Sequence, residues 1–276
     1  MISFAASAQE EEKKDGAGRK RKSLSISNEG IKVEDTDEAT KGGLYVNKDT
    51  ISNKKRIEKP LDFTFAAVDI GINTLQDKTD YTSAAAQGFL NVPAGMKNDK
   101  LFSLQTGKSW NVNVWPVLFK ARVLKTKMQK VYISSGIGLQ MYNFRFTRDI
   151  SYLNNTTPEV FLDSVNFSKN KLGLTYLSVP LMLTAKTKIA KKTWLVYGAG
   201  VTGGYRIGSL TKQVSSFRGK DKNRDAFNFN DFNACVTGEI GISGVMRIYA
   251  TYQLTSLHES VLDQHPLCIG IRIGGV

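Results

Sequence analysis

Cysteine and histidine are nearly missing from this chain: its 276 residues carry two of each, Cys235 and Cys268, His258 and His265. Two cysteines far apart make no metal or redox motif, and two histidines in one connecting segment read as loop residues rather than ligands. No cofactor or metal is expected. Proline is scarce at 6 residues against 24 glycines. No stretch approaches the ~20 apolar residues that a spanning helix needs, and the mean hydropathy is slightly negative, so a polytopic helical membrane protein is excluded. Acidic residues are in deficit, 25 against 38 Lys and Arg, for a net charge of +13. Yet no basic motif interleaved with aromatics reads as a base-recognition surface, and no nucleic-acid partner is expected. Many of the lysines (Lys125, Lys127, Lys130, Lys186, Lys188, Lys191 and Lys192) sit in expected turns, solvated or facing headgroups.

None of these absences excludes a transmembrane sheet, in which only every second residue need be apolar. In residues 131–142, Val131, Ile133, Ile137, Leu139 and Met141 share one strand face, with Ser135 the exception; Ser134, Gly136, Gly138, Gln140 and Tyr142 share the other. The same split recurs after residue 60. It predicts eight strands, over 62–74, 109–124, 130–147, 173–187, 193–209, 232–243, 246–256 and 266–275, a number typical of the smallest membrane barrels. Helical signals reduce to one turn at Ser83-Ala84-Ala85-Ala86. A soluble ligand-binding barrel would put the apolar face inside, leaving an outer face of Gly and Thr with few charges. The opposite arrangement suits this composition: lipid outside, a polar filling inside. Trp110, Trp194, Tyr197, Tyr205 and Tyr252 fall near strand ends or on the outer face, as interfacial aromatics do. Phe144 and Phe146 fall on the inward phase, either above a membrane or displaced by a bulge. Pro116 and Pro180 each remove a ladder donor within expected strands.

The connections alternate in length. Those around 125–129, 188–192 and 244–245 are short; those over 75–108, 148–172 and 210–231 are long, and 257–265 is intermediate. This asymmetry is that of outer-membrane barrels, with tight turns on the periplasmic rim and long loops outside. The fold class expected is therefore all-β: an eight-stranded antiparallel up-and-down transmembrane β-barrel over 61–276, with both termini periplasmic. Residues 9–60 carry the charge blocks Glu10-Glu11-Glu12-Lys13-Lys14-Asp15 and Arg19-Lys20-Arg21-Lys22 and read as a flexible periplasmic tail with a short hairpin around Asn28-Glu29-Gly30. Ala6-Ser7-Ala8 fits a signal-peptidase site, so residues 1–8 read as the remnant of a secretory signal, a chance Ala-Ser-rich terminus being the alternative.

Four charges take the inward phase: Asp69, Glu239, Arg247 and Arg272. When the sheet closes, the last strand lies beside the first, so a luminal ion-pair network among these four is expected, with side chains filling a barrel of this size and no open channel. Cys235 and Cys268 also point inward, one strand apart, roughly 9–10 Å at ~4.8 Å per strand. That exceeds the ~7 Å reach of a disulfide, and free thiols are expected. Ser256, His258, Glu259, Asp263 and His265 are the candidates for a catalytic site at the outer rim. Nearness in sequence is weak support for a triad, and no catalytic residue is assigned.

The segment Leu174-Thr175-Tyr176-Leu177-Ser178-Val179-Pro180-Leu181-Met182-Leu183 resembles a strand of the PorT-type outer-membrane β-barrel family of Bacteroidota, carried above all by Tyr176 and Pro180. Tyr197-Gly198-Ala199-Gly200 resembles the glycine-rich strand that follows it, Asp69-Ile70-Gly71-Ile72-Asn73 a first-strand pattern, and Ala250-Thr251-Tyr252-Gln253-Leu254 the penultimate strand. Ser178 stands where the family often has an acidic residue, and the chain ends Gly-Gly-Val rather than on an aromatic. The resemblance implies an outer-membrane location and no single activity: members include a secretion-system component and barrels of no known role. The function expected is a non-enzymatic, structural or partner-binding barrel surrounded by outer-membrane lipid. An envelope protein would bind its tail or outer loops. A barrel enzyme at the outer rim is the alternative, and a soluble ligand-binding barrel a further one.

Overall fold

A computed structural model describes residues 21–27, 30–36, 61–154 and 158–274. The readings of 1–8 as a signal remnant and of most of 9–60 as a tail fall outside those residues. The chain divides into two units, Met1–Arg56 and Ile57–Val276. In the first, β1 (Arg21–Ser27) and β2 (Gly30–Thr36) pair as an antiparallel hairpin, Ser27 opposite Gly30.

The second unit runs β3 (Leu61–Asp77), α1 (Ala84–Phe89), β4 (Leu90–Asn91), β5 (Trp110–Lys125), β6 (Gln129–Arg145), β7 (Ile150–Leu153), β8 (Glu159–Leu162), β9 (Lys169–Lys188), β10 (Trp194–Ser215), β11 (Gly219–Asn223), β12 (Phe232–Ile242), β13 (Met246–Gln253) and β14 (Gln264–Gly274). Strands β3, β5, β6, β9, β10, β12, β13 and β14 pair in that order, each antiparallel to the next, and β14 pairs back with β3, so the pairings return on themselves. Both ends of this ring, Leu61 and Gly274, lie on the side of the short turns. Four strands beyond the expected eight lie within the long connections. β4, β8 and β7 form a small sheet of their own, with β4–β8 the parallel pairing. β11 continues β10 as a hairpin. These strands are short, and β11 (Gly-Lys-Asp-Lys-Asn) has no apolar face, so periodicity gives no signal for them.

The prolines sit where the ladders break. Between β5 and β6 the partners jump from Val114↔Leu139 to Val117↔Ile137, a bulge that contains Pro116. Between β6 and β9 they jump from Ser135↔Leu181 to Gly138↔Ser178 across Pro180, with the register unchanged. A further bulge at Ile207 in β10 exchanges the faces beyond it, turning Leu210, Lys212 and Val214 outward.

The ring's outer face carries an apolar belt. Ile70, Ile72, Val117, Phe119, Ile133, Ile137, Leu177, Val179, Leu181, Leu183, Val201, Val236, Ile240, Ile248, Ile269 and Ile271 are all exposed there. Trp110, Tyr197 and Tyr205 are exposed with them. Along two strands the polarity of the faces then inverts. On β6 the inward residues Ser134, Gly136, Gly138 and Gln140 give way to the buried rings of Tyr142 and Phe144, with Phe146 just past the strand end. The outward face changes in the opposite sense, from Ile133, Ile137, Leu139 and Met141 to Asn143 and Arg145. On β9, inward Met182 and Ser178 give way to Tyr176, Leu174 and Leu172, and outward Leu183 to Leu177 give way to Thr175, Gly173, Lys171 and Lys169. Phe144 and Phe146 thus keep the inward phase with no bulge, in a stretch where that phase is apolar.

Candidate functional site

The interior of the ring is filled in layers. At the level of Asp69 the register sets Arg272 directly opposite Asp69, and Arg247 directly opposite Arg272. Arg272 grips Asp69 with two parallel bonds, Nε to Oδ1 at 2.6 Å and Nη2 to Oδ2 at 2.7 Å, and donates through Nη1 to Glu239 Oε2 at 2.8 Å. Arg247 Nη1 donates to the other oxygen of Glu239 at 2.8 Å, and its Nη2 to the Gly274 carbonyl at 2.6 Å. Glu239 therefore bridges two guanidinium groups that would otherwise repel across adjacent strands. Asp69 also accepts from Trp115 Nε1 at 2.8 Å and Asn113 Nδ2 at 3.2 Å. Asp69, Glu239 and Arg247 are buried. The structure thus brings together all four residues singled out from the sequence, two cations with two anions, and every carboxylate oxygen has a donor. Such an arrangement holds strands together. Among the described residues its four charged side chains are paired with one another, and only Asn113 Oδ1 beside them lacks a partner.

Glycines leave room for the large luminal groups. A Cβ at Gly138 would stand 2.4 Å from the Trp115 ring, and one at Gly71 would stand 2.7 Å from the Tyr249 hydroxyl. On the short-turn side of the network a cavity of about 30 Å³, lined by Lys120, Tyr132, Met182, Lys186 and both arginines among others, has room for a few waters. On the other side lies a layer of neutral polar groups. Ser178 Oγ donates to Gln140 at 2.9 Å, Thr237 and Thr251 hydroxyls meet at 2.9 Å, and the Tyr249 hydroxyl reaches Asn111 at 3.1 Å. Cys235 and Cys268 are free, buried thiols beside the Tyr142 and Tyr249 hydroxyls, respectively.

Beyond this layer the interior turns apolar. Tyr142, Phe144, Tyr176, Leu172 and Leu174 from the strands join Ala86 and Phe89 of α1, Phe102, Phe146, Ile150, Tyr152, Phe227, Phe229 and Leu257 in one core beneath the long loops. Ser83 caps α1, its hydroxyl accepting from the Ala86 amide. Tyr176 is fully buried here, in edge contact with Tyr142, and Pro180 lines the small luminal cavity. His258 is also fully buried, ringed by Phe89, Phe102, Tyr152 and Phe229 at 4.7–6.3 Å. Neither of its ring nitrogens has a hydrogen-bond partner among the described residues. Burial pushes its pKa down to about 3, so it stays neutral. The same burial raises the Tyr152 phenol. The sequence-level signal for this core was the persistence of the inward phase through Phe144 and Phe146.

The other candidates, Ser256, Glu259 and Asp263 of the last loop and His265, which lies in β14 rather than in the loop expected, do not assemble a nucleophile and a base. Ser256 Oγ donates to the Leu262 carbonyl at 2.6 Å and accepts from the Gln264 amide at 3.3 Å. His265 contacts the Asp263 carboxylate at 2.8 Å and the Gln253 carbonyl at 3.0 Å, and Glu259 is exposed. A cleft of about 360 Å³ beside Ser256, His258 and Asp263 is lined by Thr79, Asp80 and Ser83 together with the apolar Ala85, Val261 and Leu262. No group of three or more His, Cys, Asp or Glu able to hold a metal occurs among the described residues.

No family model matches the chain, and no curated protein matches it. Among solved structures, the chain is similar to Ail, the attachment invasion locus protein of Yersinia pestis. The overlap has a TM-score of 0.28 and 7% identity, and covers 76% of this chain and 98% of that one. A second structure of Ail, in complex with the heparin analogue sucrose octasulfate, gives a TM-score of 0.27 and 10% identity over the same shares.

Proposed function

We propose that this chain is an integral outer-membrane β-barrel whose eight ring strands cross the bilayer. The polarity inversion along β6 and β9 carries this reading. Where the outer face is aliphatic, the inner face is polar and hydrogen-bonded; where the outer face turns to Asn143, Arg145, Lys171 and Lys169, the inner face becomes an apolar core. Lipid outside the first part and water outside the second account for both halves with one rule. A soluble ligand-binding barrel would need the second arrangement along its whole height. The short turns and both ends of the ring then face the periplasm, and the long loops face outward.

The role best supported is non-enzymatic: a structural or partner-binding barrel that presents its packed outer loops, or its N-terminal segment, to another envelope component, in a secretion or surface-assembly setting. Three features support it. The charged network is internally neutral, a neutral polar layer and an apolar core fill the ring on its long-loop side, and Ser256 is bonded to backbone rather than to a base. The PorT-type relation rests on the Tyr176-to-Pro180 strand and belongs to the same proposal. Fractionation with the outer membrane and a heat-dependent shift in gel mobility are the expected results. Recovery as a soluble protein without detergent defeats the reading. Pull-downs from solubilised membranes, with and without residues 9–60, separate capture through the tail from capture through the loops.

A further inference from the structure

The outward face just past the apolar belt carries an alignment of cations that the fold does not require. The register places Arg145 of β6 opposite Lys171 of β9, Lys171 opposite Lys212 of β10, and Lys212 opposite Lys222 of β11. The next row places Lys169 and Lys220 on either side of Val214. Directly opposed like charges weaken a sheet. Lys212, Arg145 and Lys220 all repel the Lys169 ammonium. Among the described residues none of these six cations forms an ion pair. Arg145 Nη2 is held by the Ser168 carbonyl at 2.7 Å, while its buried Nε has no partner among those residues.

The height of this patch follows from the strands. On β9 the apolar outward positions run from Ala185 to Leu177, and the belt's edge is the next row, where Thr175 pairs with Met141 of β6; the ten residues from Ala185 to Thr175, at ~3.3 Å per residue and a tilt of ~40°, span about 25 Å, the thickness of a barrel's apolar band. Lys171 lies four residues further, about 10 Å beyond the belt's edge, at headgroup level. Arg145 lies the same distance past Met141 on β6. The patch continues the lipid-facing surface of the same strands and lies beside the lipid rather than on the loop tips.

Resting on the membrane reading above, we propose that the outward face of β6, β9, β10 and β11 beyond the apolar belt binds the phosphate groups of lipid headgroups in the outer leaflet. Lys171, Lys212 and Lys222 are its central contacts. The ligand offsets a repulsion that the bare sheet carries, and strands rather than mobile loops hold the cations in register.

The test uses the full chain reconstituted into nanodiscs of phosphatidylcholine with a minor share of phosphatidic acid, which carries a phosphate monoester. After transfer to detergent, the lipid retained per protein is measured by native mass spectrometry. Wild type is expected to enrich phosphatidic acid over phosphatidylcholine, the K171Q/K212Q/K222Q variant to lose at least about tenfold of that preference, and raised salt to weaken it. Heat-dependent gel mobility establishes that the variant is folded. Equal enrichment by a folded variant overturns the proposal. So does capture of soluble dextran sulfate by wild type in pure phosphatidylcholine discs without any phosphatidic acid enrichment, which assigns the patch to a soluble polyanion. If the membrane reading itself fails, neither protein inserts into discs of any composition, a result distinct from insertion without preference.

Discussion

The inward face of the ring carries two unlike layers: the one nearer the short turns holds Asp69, Glu239, Arg247, Arg272, Trp115 and Asn113, and the one nearer the long loops holds Tyr142, Phe144, Tyr176, Leu172 and Leu174 with His258 among the loop aromatics. Both regions are buried, and both are lined by the same strands. The difference lies in what stands behind the sheet. Behind the first is the aliphatic belt, so hydrophobic burial cannot tell the inside from the outside there, and paired charges and hydrogen bonds set which face is which. Behind the second are Asn143, Arg145, Lys169 and Lys171, and the interior follows the ordinary rule of a protein in water.

The largest way to break the contrast is to remove one charge. Asp69 accepts four hydrogen bonds, two of them from Arg272. Asp69→Ala leaves a buried guanidinium half-paired and is expected to cost about 3–5 kcal/mol, read as a drop in the urea midpoint of the folded barrel in micelles. The double variant D69L/R272M, which removes both charges, is expected to recover most of that loss. If the double variant is as unstable as the single one, the network is more than a set of paired charges.

The inversion on β6 is tested at two outward positions of one strand. Ile137→Arg puts a charge in the belt and is expected to cost about 2–4 kcal/mol, whereas Asn143→Arg, beyond the inversion, is expected to cost about 0–1 kcal/mol. Equal costs in lipid vesicles would place the membrane boundary elsewhere.

Most of this architecture was legible in the sequence because the eight ring strands alternate and their connections alternate in length. The pairing of Asp69 with Arg272 followed from closure of the ring alone. The apolar core left one trace in the sequence, the inward phase of Phe144 and Phe146, and the rest of it was hidden, since its residues come from distant loops and from strand stretches where the period of two persists but its meaning reverses. Phe144 and Phe146 looked anomalous only while one rule was applied to the whole strand. The bulge at Ile207, which turns Lys212 outward, and the polar strand β11 were equally hidden, because both are set by register rather than by the hydrophobic pattern.

The two regions should also differ in acid. His258 remains neutral in the folded protein down to about pH 3, while its ordinary value is 6.5. The unfolded chain therefore binds a proton that the folded one does not throughout that window. The His258 contribution is complete above about pH 6.5 and is lost as pH falls toward 3, at up to about 1.4 kcal/mol per pH unit, or about 2 kcal/mol at pH 5. His258→Phe keeps an aromatic ring among Phe89, Phe102, Tyr152 and Phe229 and is expected to flatten the fall in urea midpoint between pH 7 and 5. An unchanged slope would assign the acid sensitivity to other groups.

The smallest effect addresses whether the regions are independent. Ser83 caps the six-residue helix that delivers Ala86 and Phe89 to the apolar core. So short a helix has little stability of its own, and Ser83→Ala is expected to cost about 1 kcal/mol. The loss should appear as faster amide exchange in residues 84–91, with amides of the Asp69 to Arg272 layer unchanged. Those inner amides are locked in ladders closed by the ion network, whereas α1 is held by its cap, by the side chains it buries and by a few exposed hydrogen bonds of Gln87 with Tyr81 and Lys97. Faster exchange at Asp69 and Arg272 in this variant would mean that the aromatic core and the charged lumen open as one unit, and that the boundary between them is chemical without being mechanical.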